Sequence, residues 1–293
     1  MIASNTSLDA AQIRVRPKIG LWIGLAILAV IAFLALAGPW LLQSDPMAQN
    51  IMNRRIPPIW DAWFNPASKA SVEHLLGTDR LGRDYLARVI AGARISLPIG
   101  FITAGVAVTI GAAIGIAAGY WRGRVDAALS FVIQTRLSLP IMLVALTSIS
   151  LLGGSLSVII ITGSLLLWDR AAIVSRTMTM QLSERDYVRV AKVLGATNWQ
   201  IIRREILPGL RNALLIIFTI ELGNAILLEA SLSFLGLGLP PPAPSWGLML
   251  AEAREDIFSA PWMIAVPGVA LLLTVFATGL IGDALQTGEQ TQP

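Results

Sequence analysis

The stretch LSLPIMLVALTSISLLGGSLSVIIITGSLLLW, residues 137–168, runs for 32 positions without an Asp, Glu, Lys or Arg. A helix needs about 20 apolar residues to cross a bilayer, so the run is too long for one span. Gly153-Gly154-Ser155 near its middle is a turn signal. The stretch therefore reads as two membrane helices joined by a tight turn. Further uncharged runs occupy 19–42, 95–121 and 257–282, while 211–232 is apolar after Arg211 except for Glu221 and Glu229. Together these runs predict an all-α membrane protein with six transmembrane helices.

The composition points the same way. The 293 residues are 55% hydrophobic and 14% charged, against about 25% charged in a soluble domain. There is no cysteine, and His74 is the sole histidine. Disulfides, thiolate chemistry and His-rich or Cys-ligated metal sites are thereby excluded, so neither a catalytic set nor a metal site is expected. The 22 basic residues exceed the 18 acids by only four, a balance suited to arginines flanking spans rather than to nucleic-acid binding. No glycine-rich loop ends in Gly-Lys-Ser/Thr, and Lys18, Lys69 and Lys192 stand in no such context. An enzyme is not expected, nor a cofactor held by this chain.

Lys and Arg beside the spans favour both termini on the cytoplasmic side, an N-in/C-in arrangement. A secretory signal peptide competes for the first run, because Arg14, Arg16 and Lys18 precede it and Ala35-Leu36-Ala37 resembles a cleavage site. The length of the run favours an uncleaved helix. The resulting organisation is a tail over 1–18, a first helix over 19–42, an external region over 43–94, and a core of five helices over 95–285 with a tail over 286–293. The core includes a cytoplasmic loop, 175–210, and an external loop, 233–260. Pro46, Pro57, Pro58 and Pro66, with Trp60 and Trp63, suit an irregular external lobe near the headgroups. Pro240, Pro241, Pro242 and Pro244 exclude a regular helix ahead of a short one over 249–256.

The cytoplasmic loop holds MQLSERDYVRVAKVLGATNWQIIRREILP, residues 180–208. Leu182, Tyr187, Val190, Ala191 and Leu194 recur at helical spacing, and Trp199, Ile202 and Ile206 continue the stripe beyond Gly195. Glycine permits a sharp bend there, and Pro208 is expected to end the amphipathic piece. Periodicity leaves two readings level: an elbow that docks on another protein, or an amphipathic linker on anionic lipid.

The segment resembles the loop shared by membrane subunits of bacterial ABC importers, a Glu-Ala-Ala triplet followed by glycine and a hydrophobic-Leu-Pro ending. Arg189-Val190-Ala191, Gly195 and Ile206-Leu207-Pro208 carry the match, although Arg189 stands where the family has an acid and Val190 where it has alanine. Two longer stretches, HLLGTDRLGRDYLARVIAGARISL (74–97) and EASLSFLGLGLPPPAPSWGLMLAEAR (229–254), resemble signatures of the peptide/nickel class of these permeases. With the closing PWMIAVPG and GDAL, the resemblance covers residues 17 to 285. It is most similar to the second, shorter permease of dipeptide, oligopeptide or nickel importers.

The resemblance implies a bacterial inner-membrane permease whose coupling elbow lies between spans 4 and 5. Tyr187, Arg189, Val190, Ala191, Gly195, Ala196, Ile206, Leu207 and Pro208 would contact an ATP-hydrolysing subunit. Implied partners are a second permease chain, two ATP-binding cassette subunits that hold ATP and Mg, an external solute-binding protein, and membrane lipid, with no nucleic acid. The cargo would be peptides, similar small solutes or nickel complexes.

Glu221 and Glu229 lie about two helical turns apart, and ionisable groups at membrane depth normally face a cavity or the protein interior. They are candidates for the translocation path, or for hydrogen bonding between helices. A secondary transporter using both for proton coupling is the rival function. Asp169 and Arg170 are adjacent and share no helix face, so each is expected to pair elsewhere. Gly111 and Gly115 form a small-xxx-small stripe for close packing. Asp79, Arg80, Arg83 and Asp84 are expected to form salt bridges within the external loop, with contact to an external binding protein as the alternative.

Overall fold

The computed structural model describes residues 17–42 and 44–290. The tail residues Arg14 and Arg16, and residues 291–293, lie outside the described residues. The described chain is helical: α1 Pro17–Leu41, α2 Tyr85–Trp121, α3 Gly123–Ser138, α4 Ile141–Leu152, α5 Leu156–Leu166, α6 Asp169–Ser183, α7 Asp186–Val193, α8 Asn198–Ile201, α9 Leu207–Phe234, α10 Trp246–Ala253 and α11 Trp262–Gln290. Five helical stretches are long and apolar enough to cross a membrane: Ile19–Leu41, Tyr85–Trp121, Leu156–Ser183, Asn198–Phe234 and Trp262–Thr287. The α3–α4 pair, bent by 85°, makes six if it counts as one span.

The 137–168 run does break at its glycines. α4 stops at Leu152, Gly153 takes φ +86°, and the Ser155 hydroxyl accepts from the Val158 amide to cap α5. Yet α4 has 12 residues and α5 has 11, so neither half spans alone. Each is completed through charged neighbours, back through α3 and forward through α6. Charge therefore sits inside helices that the uncharged runs had ended. It is tolerated because it is paired: Arg176 binds Asp126 at 2.5 Å, Arg136 stands 3.8 Å from Asp169, and Arg170 stands 3.4 Å from Glu221. Asp169 and Arg170 thus pair with different helices, as their adjacency requires. For the same reason α2 begins at Tyr85 rather than at 95, with Arg88 inside it, and α6 carries on through 175–183.

Close helix contact depends on glycine. Gly111, Gly115 and Gly119 of α2 lie against the backbone of Trp168, just before α6, and of Ala172 and Arg176 within it, so the stripe serves packing within this chain. Gly100 seats Ile226 and Leu222 of α9, and Gly24 brings α1 against Ala277 and Ile281 of α11.

At the Tyr85 end of α2, about 54 Å from Trp121 at 1.5 Å per residue, the segment 44–84 meets α10 and the turn that follows it through ion pairs. Arg83 and Arg88 donate to Asp79 at 2.5 and 2.6 Å, and Arg88 also reaches Glu252 at 2.8 Å. Arg55 binds Asp256 at 2.7 Å and Arg80 binds both Asp256 and Glu255. The expected bridges within one loop thus extend into a clamp between two segments; Asp79, Arg80, Arg83, Arg88 and Glu252 fall within the two longer signatures, and Arg55, Glu255 and Asp256 lie outside them. Burial pushes the Asp256 carboxyl up, but hydrogen bonds from Arg80 and Ser259 and the Arg80 and Arg55 charges outweigh it, holding the group below its ordinary range.

Candidate coupling elbow and cavity

The elbow between α6 and α9 is built from two capping motifs. α7 ends with the Gly195 amide donating to the Lys192 carbonyl at 3.1 Å and the Ala196 amide to the Ala191 carbonyl at 3.0 Å. This is the Schellman pattern, and Gly195 holds its left-handed position at φ +85°. A capping box then opens α8: the Thr197 hydroxyl accepts from the Gln200 amide, and the Gln200 side chain accepts from the Thr197 amide. α8 passes through a π turn, Ile202–Ile206, directly into α9. Pro208 therefore does not end the amphipathic piece. Proline has no amide for a bond four residues back and crowds that carbonyl, and the wider turn just before it relieves the conflict.

The elbow residues fall on two faces. Val188, Ile201, Ile202, Ile206 and Leu210 are buried together, with Ala191 and Ala196 packed against them. Tyr187, Arg189 and Val190 face outward, and Leu207 and Pro208 are exposed. The outward face also carries Val193, Leu194 and Trp199, 87%, 81% and 68% exposed. The single stripe expected from periodicity is thus two: in the eight-residue α7 and the Leu194 that follows it, Val188 and Ala191 point in while Tyr187, Val190 and Leu194 point away. Tyr120 ties both arms to α2, its hydroxyl donating to Asn198 at 2.9 Å and its ring lying 5.1 Å from the Lys192 ammonium. Sequence reading missed Tyr120 and Val193, because nothing local marks a tyrosine far upstream as a contact of the elbow.

The two glutamates separate. Glu221 is 2% exposed as a residue, accepts from the Asn224 side-chain Nδ2 at 3.1 Å and pairs with Arg170. It borders an open-sided cavity of about 560 Å³ whose other polar residues include Arg136, Asp169, Arg170 and Asn224. Glu229 is enclosed, taking hydrogen bonds from Ser233 at 2.7 Å and Ser96 at 3.4 Å. Ser96 in turn accepts from the Trp246 amide, so Glu229 fastens α9, α2 and α10 and is not among the residues lining that cavity.

Residues 111–288 match the family of binding-protein-dependent transport system inner membrane components. The chain belongs to that family. Residues 19–58 of this permease also match the N-terminal transmembrane domain of oligopeptide transport permease C. It is 38% identical over 264 residues to a putative peptide transport system permease protein of Brucella suis, covering 90% of this chain and 85% of that one. It is 34% identical over 284 residues to the dipeptide transport system permease protein DppC of Haemophilus influenzae, covering 97% and 94%. Among solved structures, it shares its fold with a chain of the inward-facing MetNI methionine ABC transporter at TM-score 0.56 and 18% identity, covering 70% of this chain and 97% of that one. The family and the apolar helices make it a multi-pass protein of the bacterial inner membrane.

Proposed function

We propose that this chain is one of two permease subunits of an ATP-driven importer, with six spans, both termini cytoplasmic, and peptides as cargo. The observation that carries the reading is the outward face of the elbow. Tyr187, Val190, Val193, Leu194 and Trp199 expose apolar surface on a turn locked by two caps, amid Arg185, Arg189 and Lys192. Rigid apolar surface rimmed by charge suits a protein groove. Two ATPase subunits, which hold the ATP and Mg, would receive this elbow and the corresponding one of the second permease. The names of the relatives support peptides over nickel complexes. An external binding protein would deliver cargo to the lobe side.

The fold supplies a coupling route. α8, the π turn and α9 form one helical stretch from Asn198 to Phe234, so displacement at Trp199 moves the helix that carries Glu221. Closing of the ATPase subunits would thus tilt the cavity wall without an intervening flexible joint. Proton coupling through Glu221 and Glu229 finds no support in the relatives or in the placement of the two carboxylates.

Uptake into vesicles bearing the complete complex is expected to fall to background when the ATPase subunits carry a dead active site. Uptake that persists would overturn the importer reading.

A further inference from the structure

The cavity beside Glu221 contains two ion pairs held with unequal firmness. Arg136 is largely buried, donates to the Leu166 carbonyl and stands 3.8 Å from Asp169. Glu221 is enclosed and keeps the Asn224 amide as a second partner. Arg170 differs: 51% of its side chain is exposed, and its guanidinium has one partner among the described residues, Glu221 at 3.4 Å. A guanidinium offers five N–H donors in a planar fork suited to carboxylate. The most accessible charge in the cavity is therefore a cation with donors to spare.

The cavity continues along α9 as an apolar groove. Leu227 and Ser231 line both, and Phe234, Leu235, Leu250 and Leu271 line the outer part. A solute in this channel meets charge at one end and hydrocarbon at the other.

We infer that Arg170 receives the carboxylate of the cargo, and that the Arg170–Glu221 pair opens for a zwitterion, a peptide with free carboxylate and ammonium termini whose side chains lie in the apolar groove. The inference rests on the importer reading. An anion alone drawn to Arg170 would strip Glu221 of its counter-charge, and a cation alone at Glu221 would strand Arg170. An unpaired charge in such surroundings is costly. A zwitterion inserts into the pair with both protein charges still matched, so one ion pair becomes two.

The test compares uptake of a dipeptide with free termini and of its C-terminal amide by the complete complex. Wild type is expected to favour the free acid by about tenfold or more, the range of one charge-assisted hydrogen bond. Arg170→Gln should lower the wild-type ratio by about tenfold, the share one charge-assisted hydrogen bond supplies, while Arg170→Lys retains most of it. The double variant Arg170→Gln with Glu221→Gln leaves no unpaired charge and guards against loss of folding; it too should lose that share of the preference. The binding protein selects equally in all variants, so a changed ratio belongs to the cavity. ATP-dependent uptake with the wild-type ratio in an assembled Arg170→Gln or double variant overturns this inference alone, whereas uptake without ATP hydrolysis overturns the importer reading.

Discussion

Gly195→Pro is expected to reduce ATP-driven uptake to background while the permease still folds and assembles. Proline fixes φ near −65°, and Gly195 stands at +85°. Proline also lacks the amide that donates to the Lys192 carbonyl, and the change of backbone direction removes the bond from Ala196 to Ala191. Both bonds of the Schellman motif are lost, so the outward face of α7 no longer holds its angle to Trp199. The helix-packing glycines and the buried clusters around α2, α9 and α11 lie elsewhere and are untouched. Gly195→Ala separates shape from flexibility. A Cβ at 195 meets nothing within 4 Å, so alanine costs only the left-handed conformation, roughly 1–2 kcal/mol, and should keep most of the uptake. Uptake and ATP hydrolysis measured side by side check this: the proline variant should hydrolyse ATP without transport, or hydrolyse none.

Gly115→Leu is expected to eliminate folded permease. A Cβ at 115 would collide with the Ala172 carbonyl, lie 2.7 Å from the Ser175 Cβ and 2.8 Å from the Arg176 amide nitrogen. Two of these three atoms are backbone and cannot rotate away. α2 and α6 would have to part, which also opens the contacts of Gly111 and Gly119 and pulls Arg176 from Asp126. Overpacking in a core costs about 1–3 kcal/mol when side chains can yield; here they cannot, so the loss should be larger. Gly105→Leu is the control, because a Cβ there meets only Phe218 at 3.9 Å. Monodisperse protein recovered in mild detergent should be near wild type for the control and near zero for Gly115→Leu.

The apolar runs and the break at Gly153–Gly154 were legible because membrane burial demands long uncharged stretches. The helix ends were not. Arg176 with Asp126, and Arg170 with Glu221, neutralise each other across distances in sequence that no local pattern reveals, so helices run through residues that composition assigns to loops. The elbow was legible in Gly195, whose conformation only glycine adopts freely. Its outward face was not, since α7 is apolar on two sides and only packing decides which is covered. Glu221 and Glu229 looked equivalent at two turns' spacing, yet eight residues at 100° each leave them about 80° apart. That offset directs one carboxylate to the cavity and the other to a cage of serines.

The most direct measurement is site-specific crosslinking from this chain, whose lack of cysteine leaves an introduced thiol as its single attachment point. Val193→Cys and Leu194→Cys in the assembled complex, treated with a thiol-to-amine crosslinker, should each join this permease to its ATPase subunit. Phe258→Cys, 97% exposed on the lobe side, should not. Crosslinking to the ATPase at 258 and none at 193 or 194 would contradict the coupling role of the elbow.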